Sequence, residues 1–146
     1  MNEAKFHIGV KALIMNEQNE ILLLKAGSDE KKHNIEFWDF PGGRIKEGHN
    51  IEETLRREVE EELGIMGNEI EIRQLFDATI SNFKGLREDG TLLMLLVYIC
   101  KLHDIRNFKL CDEHSEWRFV PIDEAKKLLA VKFRKSFTGK LDSLKK

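Results

Sequence analysis

Residues 40–65, FPGGRIKEGHNIEETLRREVEEELGI, constrain the fold more than any other stretch of the chain. The PGG cluster at 41–43 interrupts regular structure, and Asn50 followed three residues later by Glu53 is a capping-box pattern. Apolar side chains then recur every four residues until a glycine ends the series. These apolar positions are Ile51, Leu55, Val59 and Leu63. The stretch predicts a turn followed by a helix with one buried face.

Three glutamates of this helix, Glu58, Glu61 and Glu62, stand at i, i+3 and i+4 and are expected to share a patch on another face. Like charges at this spacing repel by roughly 0.2–0.5 kcal/mol per pair, and the dipole disfavours anions in the last turns. A bound cation offsets both effects, and hard divalent cations prefer oxygen ligands. The alternative is an acidic helix face in water, the usual fate of a charge run.

The spacing of these residues resembles the signature of the Nudix hydrolases, G-x5-E-x7-R-E-U-x-E-E-x-G-U, in which U is bulky and apolar. Here Gly43 is followed by thirteen residues and then by REVEEELGI at 57–65, so eight of the nine fixed positions match. With average residue usage, such a match at a given start has a chance probability on the order of 10⁻⁸. The ninth position departs from the signature, because His49 replaces the first Glu.

The resemblance implies an α/β/α sandwich with a mixed β-sheet between helices. It also implies Mg²⁺-dependent hydrolysis of a pyrophosphate bond in a nucleoside diphosphate derivative, with Mn²⁺ as a substitute metal. The implied metal ligands are the Gly42 carbonyl and the carboxylates of Glu58, Glu61 and Glu62. Clustered acids suit this chemistry, because divalent cations neutralise phosphate oxygens and a carboxylate can deprotonate a metal-bound water. Arg57 is expected to pair with Glu61 and orient it, or to form an ordinary i,i+4 surface pair.

Further site residues are expected beyond the fixed positions of the signature. The family commonly supplies another acid after the helix, and Glu113 and Glu116 are the candidates for an extra ligand or base, with solvent exposure as the alternative for either. Lys25, at the end of a strand, and Arg44, in the glycine turn, are the candidates for binding substrate phosphates; a plain surface lysine is the alternative for Lys25. The two histidines nearby, His49 and His114, lack zinc-like spacing and are not assigned as ligands.

The remaining chain predicts strands, the helix, more strands and a second helix. Strands are predicted at 6–14 and 21–25, where a polar turn suggests a hairpin, and at 69–83, 91–102 and 115–120. The run at 91–102 reads as a buried central strand. A helix follows at 123–130, with Asp123 as its candidate cap. The tail at 132–146 has apolar residues at helical spacing, which favours docking on the core.

One aromatic residue and three polar loops remain to be assigned. Trp38, just before the glycine turn, is assigned to core packing rather than base stacking. The polar stretch at 27–36 is a candidate cover for a ligand. Charged connections are expected at 84–90 and 104–112.

Composition limits the class of protein. With 146 residues, of which 41% are hydrophobic, the chain is expected to form a single domain over residues 1–146. The net charge of −2 gives no basic field for nucleic acid or membranes. Two cysteines without a CxxC pattern, and no secretory apolar segment, predict a soluble cytoplasmic protein. A nucleotide is the expected partner, with no membrane and no stable nucleic-acid partner, and a homodimer is left open.

The signature does not choose the substrate, because fold and metal site leave the base and sugar open. Near the place where family subtypes carry a proline or a tyrosine, this chain has Ile80, Ser81 and Asn82. The default expectation is a MutT-like pyrophosphohydrolase of nucleoside triphosphates, oxidised or not. The alternatives are an ADP-ribose or sugar-nucleotide pyrophosphatase and a catalytically weak nucleotide-sensing Nudix module, which the change at His49 keeps open.

Overall fold

The computed structural model describes residues 2–26, 36–83, 90–103, 108–109 and 114–146. The strands are β1 (Phe6–Ile14), β2 (Ile21–Ala26), β3 (Phe37–Asp39), β4 (Gly42–Arg44), β5 (Ile70–Ile80), β6 (Leu92–Leu102) and β7 (His114–Val120). The helices are α1 (Ile51–Leu63), α2 (Ile122–Leu129) and α3 (Lys135–Thr138), with 3-10 turns at Gly67–Glu69 and Gly139–Leu144. The loops expected at 27–36, 84–90 and 104–112 lie largely outside the described residues.

The described strands form two sheets. A four-stranded sheet has the order β4-β1-β6-β5, in which β1 and β6 run parallel and the other neighbours antiparallel. A three-stranded antiparallel sheet has the order β3-β2-β7. The mixed sheet and its flanking helices confirm the expected α/β/α architecture. The run at 91–102 is confirmed as an interior strand, because β6 lies between β1 and β5.

The predicted hairpin of the first two strands is wrong in its pairing. Only an isolated bridge, between Met15 and Ile21, joins the two runs, and β1 and β2 belong to different sheets. Residues 9–14 of β1 are buried without the alternation of a half-exposed strand. A strand buried on both faces is typical of a sheet interior, and β1 pairs there with β4 and β6. Its position matters for function because β4 contains the glycine turn.

Hydrophobic side chains form two clusters. One packs α1 against alternate residues of β1 and β2, including Val10 and Leu24. The other packs the C-terminal segments against Leu13, Leu23 and β6. Trp38 is 9% exposed and belongs to the second cluster, which confirms its assignment to packing.

Helix α1 begins and ends where the sequence predicts. The Asn50 side chain accepts a hydrogen bond from the Glu53 amide at 2.9 Å, and the Glu53 carboxylate accepts one from the Asn50 amide at 2.8 Å. Gly64 ends the helix in the left-handed conformation, with φ 69°. Leu55, Val59 and Leu63 of the predicted stripe are fully buried.

The C-terminal segment docks on the core as predicted, but as α3 followed by a 3-10 turn rather than one helix. Its Phe133, Phe137 and Leu141 are buried in the second cluster. Asp123 does not cap α2, because Pro121 is the cap residue and Asp123 pairs with Lys145 at 2.8 Å in the first turn. None of the helices in the described part of the chain has the length and hydropathy needed to span a lipid bilayer.

Candidate active site

The glycine turn is held tightly against β1. The Pro41 carbonyl accepts a hydrogen bond from the Ala12 amide at 2.8 Å, and Gly42 pairs with Lys11 in the β1–β4 ladder. Gly42 has φ +148°, and a Cβ added there would lie 2.9 Å from the Lys11 Cα. Both the backbone conformation and the close approach require glycine at this position.

Glu62 connects the end of α1 to this turn. Its Oε1 accepts a hydrogen bond from the Gly42 amide at 2.6 Å, and the residue is 5% exposed. Burial raises the pKa of the Glu62 carboxyl to about 8, although the charge of Lys11 and the Gly42 hydrogen bond partly oppose the shift. A carboxylate in this environment lacks enough positive charge to stabilise its ionised form.

The other two acids of the predicted patch differ from Glu62 in burial and from each other in their surroundings. Glu58 is half-buried against the turn, where a Cβ added at Gly43 would lie 2.7 Å from its Oε2. Glu61 is exposed to solvent. Among the described residues no group of three acidic, histidine or cysteine side chains is gathered closely enough to hold a metal ion. The three carboxylates therefore do not form a preassembled cage, because the Glu62 side chain turns inward to the Gly42 amide.

Arg57 contacts the residue that departs from the family signature. Its Nη1 lies 3.0 Å from His49 Nδ1. A guanidinium can only donate hydrogen bonds, so His49 Nδ1 is the acceptor in this contact. Arg57 Nη2 is buried and has no hydrogen-bond partner. In the described part of the chain, Arg57 therefore contacts His49 and does not form the expected ion pair with Glu61. The role of Arg57 in catalysis stays a prediction.

The candidates that are not fixed positions of the signature lie on different elements. Lys25 and Glu116 face each other in the β2–β7 ladder, with Lys25 Nζ 3.9 Å from Glu116 Oε1 and 3.1 Å from Glu36 Oε2. Glu116 also contacts Arg118 at 3.2 Å. Arg44 ends β4 and is half-buried. Glu113 lies outside the described residues. The roles of these four residues in the site stay predictions.

A buried ionic cluster beside the turn was missed at the sequence level. Asp39 Oδ2 accepts hydrogen bonds from Lys11 Nζ at 2.8 Å and from Lys132 Nζ at 2.6 Å, and all three residues are buried. Asp39 Oδ1 accepts from the Phe40 amide at 2.8 Å. The available sequence signal was a lysine inside the apolar strand β1, because lysine is rarely buried unless it is paired.

The oxygen donors at the turn fit a hard divalent cation. Carboxylates and backbone carbonyls are the ligands that Mg²⁺ and Mn²⁺ prefer. Glu62 carries a carboxylate whose pKa is raised to about 8, and a nearby cation would stabilise its ionised form. Glu58 and Glu61 add two oxygen-bearing side chains on the same helix. The donor chemistry therefore suits a divalent metal.

The mixed-sheet sandwich, with an acidic helix end against a glycine turn, has the features that the resemblance to the Nudix hydrolases predicts. Residues 5–141 match the NUDIX domain, which covers most of the chain. The chain therefore belongs to the Nudix hydrolase family.

Individual relatives agree with this assignment. The chain is 40% identical to an 8-oxo-dGTP diphosphatase of Buchnera aphidicola over 36% of its own length and 38% of that protein. It is 30% identical to an asymmetrical bis(5'-nucleosyl)-tetraphosphatase of Rattus norvegicus over 75% of the chain and 69% of that protein. The crystal structure of a MutT protein from Methanosarcina mazei aligns with a TM-score of 0.70 and 26% identity, covering 99% of this chain and 96% of the other.

The matched stretches span between 38% and 55% of the first curated relatives. Similarity concentrated in part of a relative supports common ancestry and fold more strongly than a common substrate.

Proposed function

We propose that the protein is a divalent-metal-dependent hydrolase that cleaves a pyrophosphate bond in a nucleoside diphosphate derivative. The observation that carries the proposal is the buried Glu62 carboxylate on the Gly42 amide, at 2.6 Å. Burial raises its pKa to about 8, so the metal-free protein disfavours the charge that a metal ligand needs. Perturbed carboxyl groups of this kind concentrate at functional sites.

The residues proposed to hold the metal are Glu58, Glu61 and Glu62, with the Gly42 carbonyl as a backbone ligand. A bound divalent cation supplies Lewis acidity, neutralising phosphate oxygens and lowering the pKa of bound water. The Gly42 carbonyl belongs to a turn that is held tightly against β1. The carbonyl of the preceding residue, Pro41, accepts a hydrogen bond from the Ala12 amide at 2.8 Å. Glu58, half-buried beside Gly43, is the proposed base that accepts a proton from the attacking water.

Nucleoside triphosphates, including oxidised ones, are the proposed substrate class. The Buchnera relative named 8-oxo-dGTP diphosphatase has the higher identity of the two relatives described above. Lys25 and Arg44 are proposed to bind the phosphate chain. Lys25 is the next-to-last residue of β2 and Arg44 is the last residue of β4. Both are incompletely buried, which leaves their charged heads near solvent for a ligand.

A dinucleoside polyphosphate is the second candidate substrate. The rat bis(5'-nucleosyl)-tetraphosphatase matches 75% of this chain, whereas the Buchnera diphosphatase matches only 36%. The longer match, over 110 residues, extends well beyond the helix-turn signature. Both candidates need the same metal site and differ only in the groups beyond the cleaved bond.

The test is a panel of substrates with purified protein. The panel contains dGTP, 8-oxo-dGTP, ADP-ribose, a sugar nucleotide and a dinucleoside tetraphosphate, each with Mg²⁺ and with excess chelator. We expect metal-dependent cleavage with the highest kcat/KM on an oxidised or ordinary nucleoside triphosphate. Highest activity on the dinucleoside tetraphosphate would favour the second candidate. Binding of nucleotides without turnover of any substrate would contradict the proposal and favour a nucleotide sensor.

A further inference from the structure

Asp39 lies where the chain passes from one sheet to the other. It is the last residue of β3 in the three-stranded sheet, and β4 of the four-stranded sheet begins at Gly42. Only Phe40 and Pro41 lie between the two strands. Each residue contributes only two soft backbone dihedral angles, so the orientation of Asp39 and Phe40 affects where the backbone of Gly42 lies.

The two carboxylate oxygens of Asp39 have different partners. Its Oδ1 accepts a hydrogen bond from the Phe40 amide at 2.8 Å, which fixes the first peptide group of the connection. Its Oδ2 accepts hydrogen bonds from Lys11 Nζ at 2.8 Å and from Lys132 Nζ at 2.6 Å. The carboxylate is therefore held by donors from β1 and from the C-terminal segment, and it links both of them to the backbone of Phe40.

The C-terminal segment holds the ring of Phe40 as well as its amide. Phe40 is 1% exposed, and its ring meets those of Phe133 and Phe137 edge to face, with centroids 5.3 and 6.0 Å away. The backbone of Lys132 is fixed in turn, because its carbonyl accepts a hydrogen bond from the Asn82 amide at 2.8 Å. Adjacent residues of one segment, Lys132 and Phe133, thus act on the residue that immediately precedes the Pro-Gly-Gly turn.

Stability alone is a weak explanation for this ionic cluster. Charged groups carry a large desolvation cost when they are buried, and well-packed apolar residues of similar volume are often equally or more stable. Here a single buried carboxylate serves two buried lysines. Buried ionic groups are best attested where they specify one particular arrangement of the chain. The arrangement that this cluster contacts directly is the start of the glycine turn.

We propose that Asp39 is a positioning residue of the active site, which holds the backbone of residues 40–43 in the geometry that metal binding requires. The two lysines act through Asp39, because they fix the carboxylate that accepts the hydrogen bond from the Phe40 amide. Asp39 is 5% exposed and acts on the metal only through the backbone. This inference rests on the proposed function, because it requires the Gly42 carbonyl to be a metal ligand.

The test compares Asp39→Asn with Leu141→Ala. Asparagine keeps the size of aspartate, but it loses the charge and its NH2 group cannot accept a hydrogen bond from either lysine. Leu141→Ala is the structural control, because it removes buried apolar contacts of the same C-terminal segment at a residue outside the ionic cluster. A purely structural role for Asp39 predicts that the two variants differ only in Tm.

Two measurements separate a positioning role from a structural one. The first is hydrogen exchange of the Gly42 amide in the metal-free protein, measured by NMR relative to the amides of the interior strand β6, which report global opening. We expect this ratio to rise roughly tenfold or more in Asp39→Asn. The second is Mn²⁺ binding, measured by electron paramagnetic resonance without substrate, which we expect to weaken about 10–100-fold. In Leu141→Ala both quantities should stay within about twofold of wild type.

Lys132→Met keeps the proposal testable if Asp39→Asn does not fold, because Asp39 keeps its contact with Lys11. We expect it to raise the same exchange ratio and to weaken Mn²⁺ binding by about tenfold, the lower limit of that range. Unchanged Mn²⁺ binding in the folded variant, with or without a change in exchange, would overturn the positioning role. Equal changes in Leu141→Ala would overturn it too. A wild-type protein that binds no Mn²⁺ would instead overturn the metal site on which the inference rests, so the two failures are distinguishable.

Discussion

The two ends of α1 are built on opposite electrostatic principles. At the N-terminal end, Asn50 and Glu53 satisfy each other's backbone amides, and the acids of the first turn face the positive end of the helix dipole. At the C-terminal end, Glu60, Glu61 and Glu62 meet the negative end, and the last turn has no basic residue. The first end stabilises the helix, whereas the second retains charges that oppose stability. Such unfavourable charges are typical of functional sites.

Replacing one glutamate at each end of α1 should give the largest difference in kcat. We expect Glu62→Gln to lower kcat on the order of 10³-fold, because it removes a proposed metal ligand and a preorganised charge. Glu52→Gln is the matched control, since it removes the same charge from an exposed site in the first turn, where Glu52 pairs with Arg56 at 3.1 Å. Its kcat should stay within about twofold of wild type. Steady-state kinetics at saturating Mg²⁺ measures both, and similar losses in the two variants would refute the contrast.

The C-terminal end of α1 should also make the free energy of unfolding depend on pH, through Glu62. The folded-state pKa of Glu62 is about 8, above its ordinary value of 4.5, so the folded state holds a proton that the unfolded state releases between these pH values. The free energy of unfolding should therefore fall as pH rises from about 5 to 8, by a few kcal/mol. Denaturant unfolding without metal should show this fall in wild type and a much smaller one in Glu62→Gln. Parallel pH profiles for the two proteins would contradict the assignment.

A methyl group added beside the C-terminal end is expected to act on catalysis more than on folding. The Cβ of Gly43→Ala would lie 2.7 Å from Glu58 Oε2, so the Glu58 carboxylate has to move. We expect kcat to fall by roughly 10–100-fold, the scale of a displaced supporting group, with a small change in Tm. Gly48→Ala is the control for adding a methyl group near the signature, because nothing lies within 4 Å of its Cβ. Its positive φ of 84° costs stability but should spare kcat.

The N-terminal end should respond in stability and not in chemistry. Asn50→Ala removes the side chain that accepts the Glu53 amide at 2.9 Å. We expect the free energy of unfolding to fall by about 1 kcal/mol, the usual cost of losing a cap, and kcat to stay within about twofold. Asn50→Ser, which preserves a capping oxygen, should restore most of the stability. A large loss of kcat in folded Asn50→Ala would mean that this end also supports catalysis.

The smallest expected effect concerns His49, just before the cap. Glutamate there gives Arg57 a charged acceptor in place of the His49 Nδ1 atom, 3.0 Å away. It also places a negative charge at the positive end of the helix dipole. We expect His49→Glu to raise kcat by roughly two- to fivefold, an energy of less than about 1 kcal/mol. Unchanged or lower kcat, with His49→Gln as the neutral control, would contradict this hypothesis.

Local sequence patterns predicted the parts of the structure that depend on neighbouring residues. The limits of α1 followed from Asn50, Glu53 and Gly64, whose roles depend on backbone geometry within a few positions. The central position of β6 followed from its long apolar run. These features are encoded over short stretches, so a single sequence is sufficient to read them.

Features that depend on distant residues were missed. Pairing of β1 with β6 joins residues more than eighty positions apart, and the turn between β1 and β2 gives no indication that these strands enter different sheets. The Lys11–Asp39–Lys132 cluster likewise combines three distant segments. Helical spacing could not predict that the Glu62 side chain turns inward, because the Gly42 amide that donates a hydrogen bond to it belongs to another element.

The parallel pairing of β1 with β6 has a consequence for synthesis on the ribosome. β1 and the glycine turn of β4 emerge early and can pair, since Gly9 to Lys11 face residues 42–44. The other edge of β1, which meets Leu92 through Cys100, has no neighbour until most of the polypeptide has left the exit tunnel. An apolar strand with one open edge is prone to pair with other chains. Slow translation between these two strands would lengthen this exposure, so the yield of native protein should depend on elongation rate and on chaperones that cover the nascent strand.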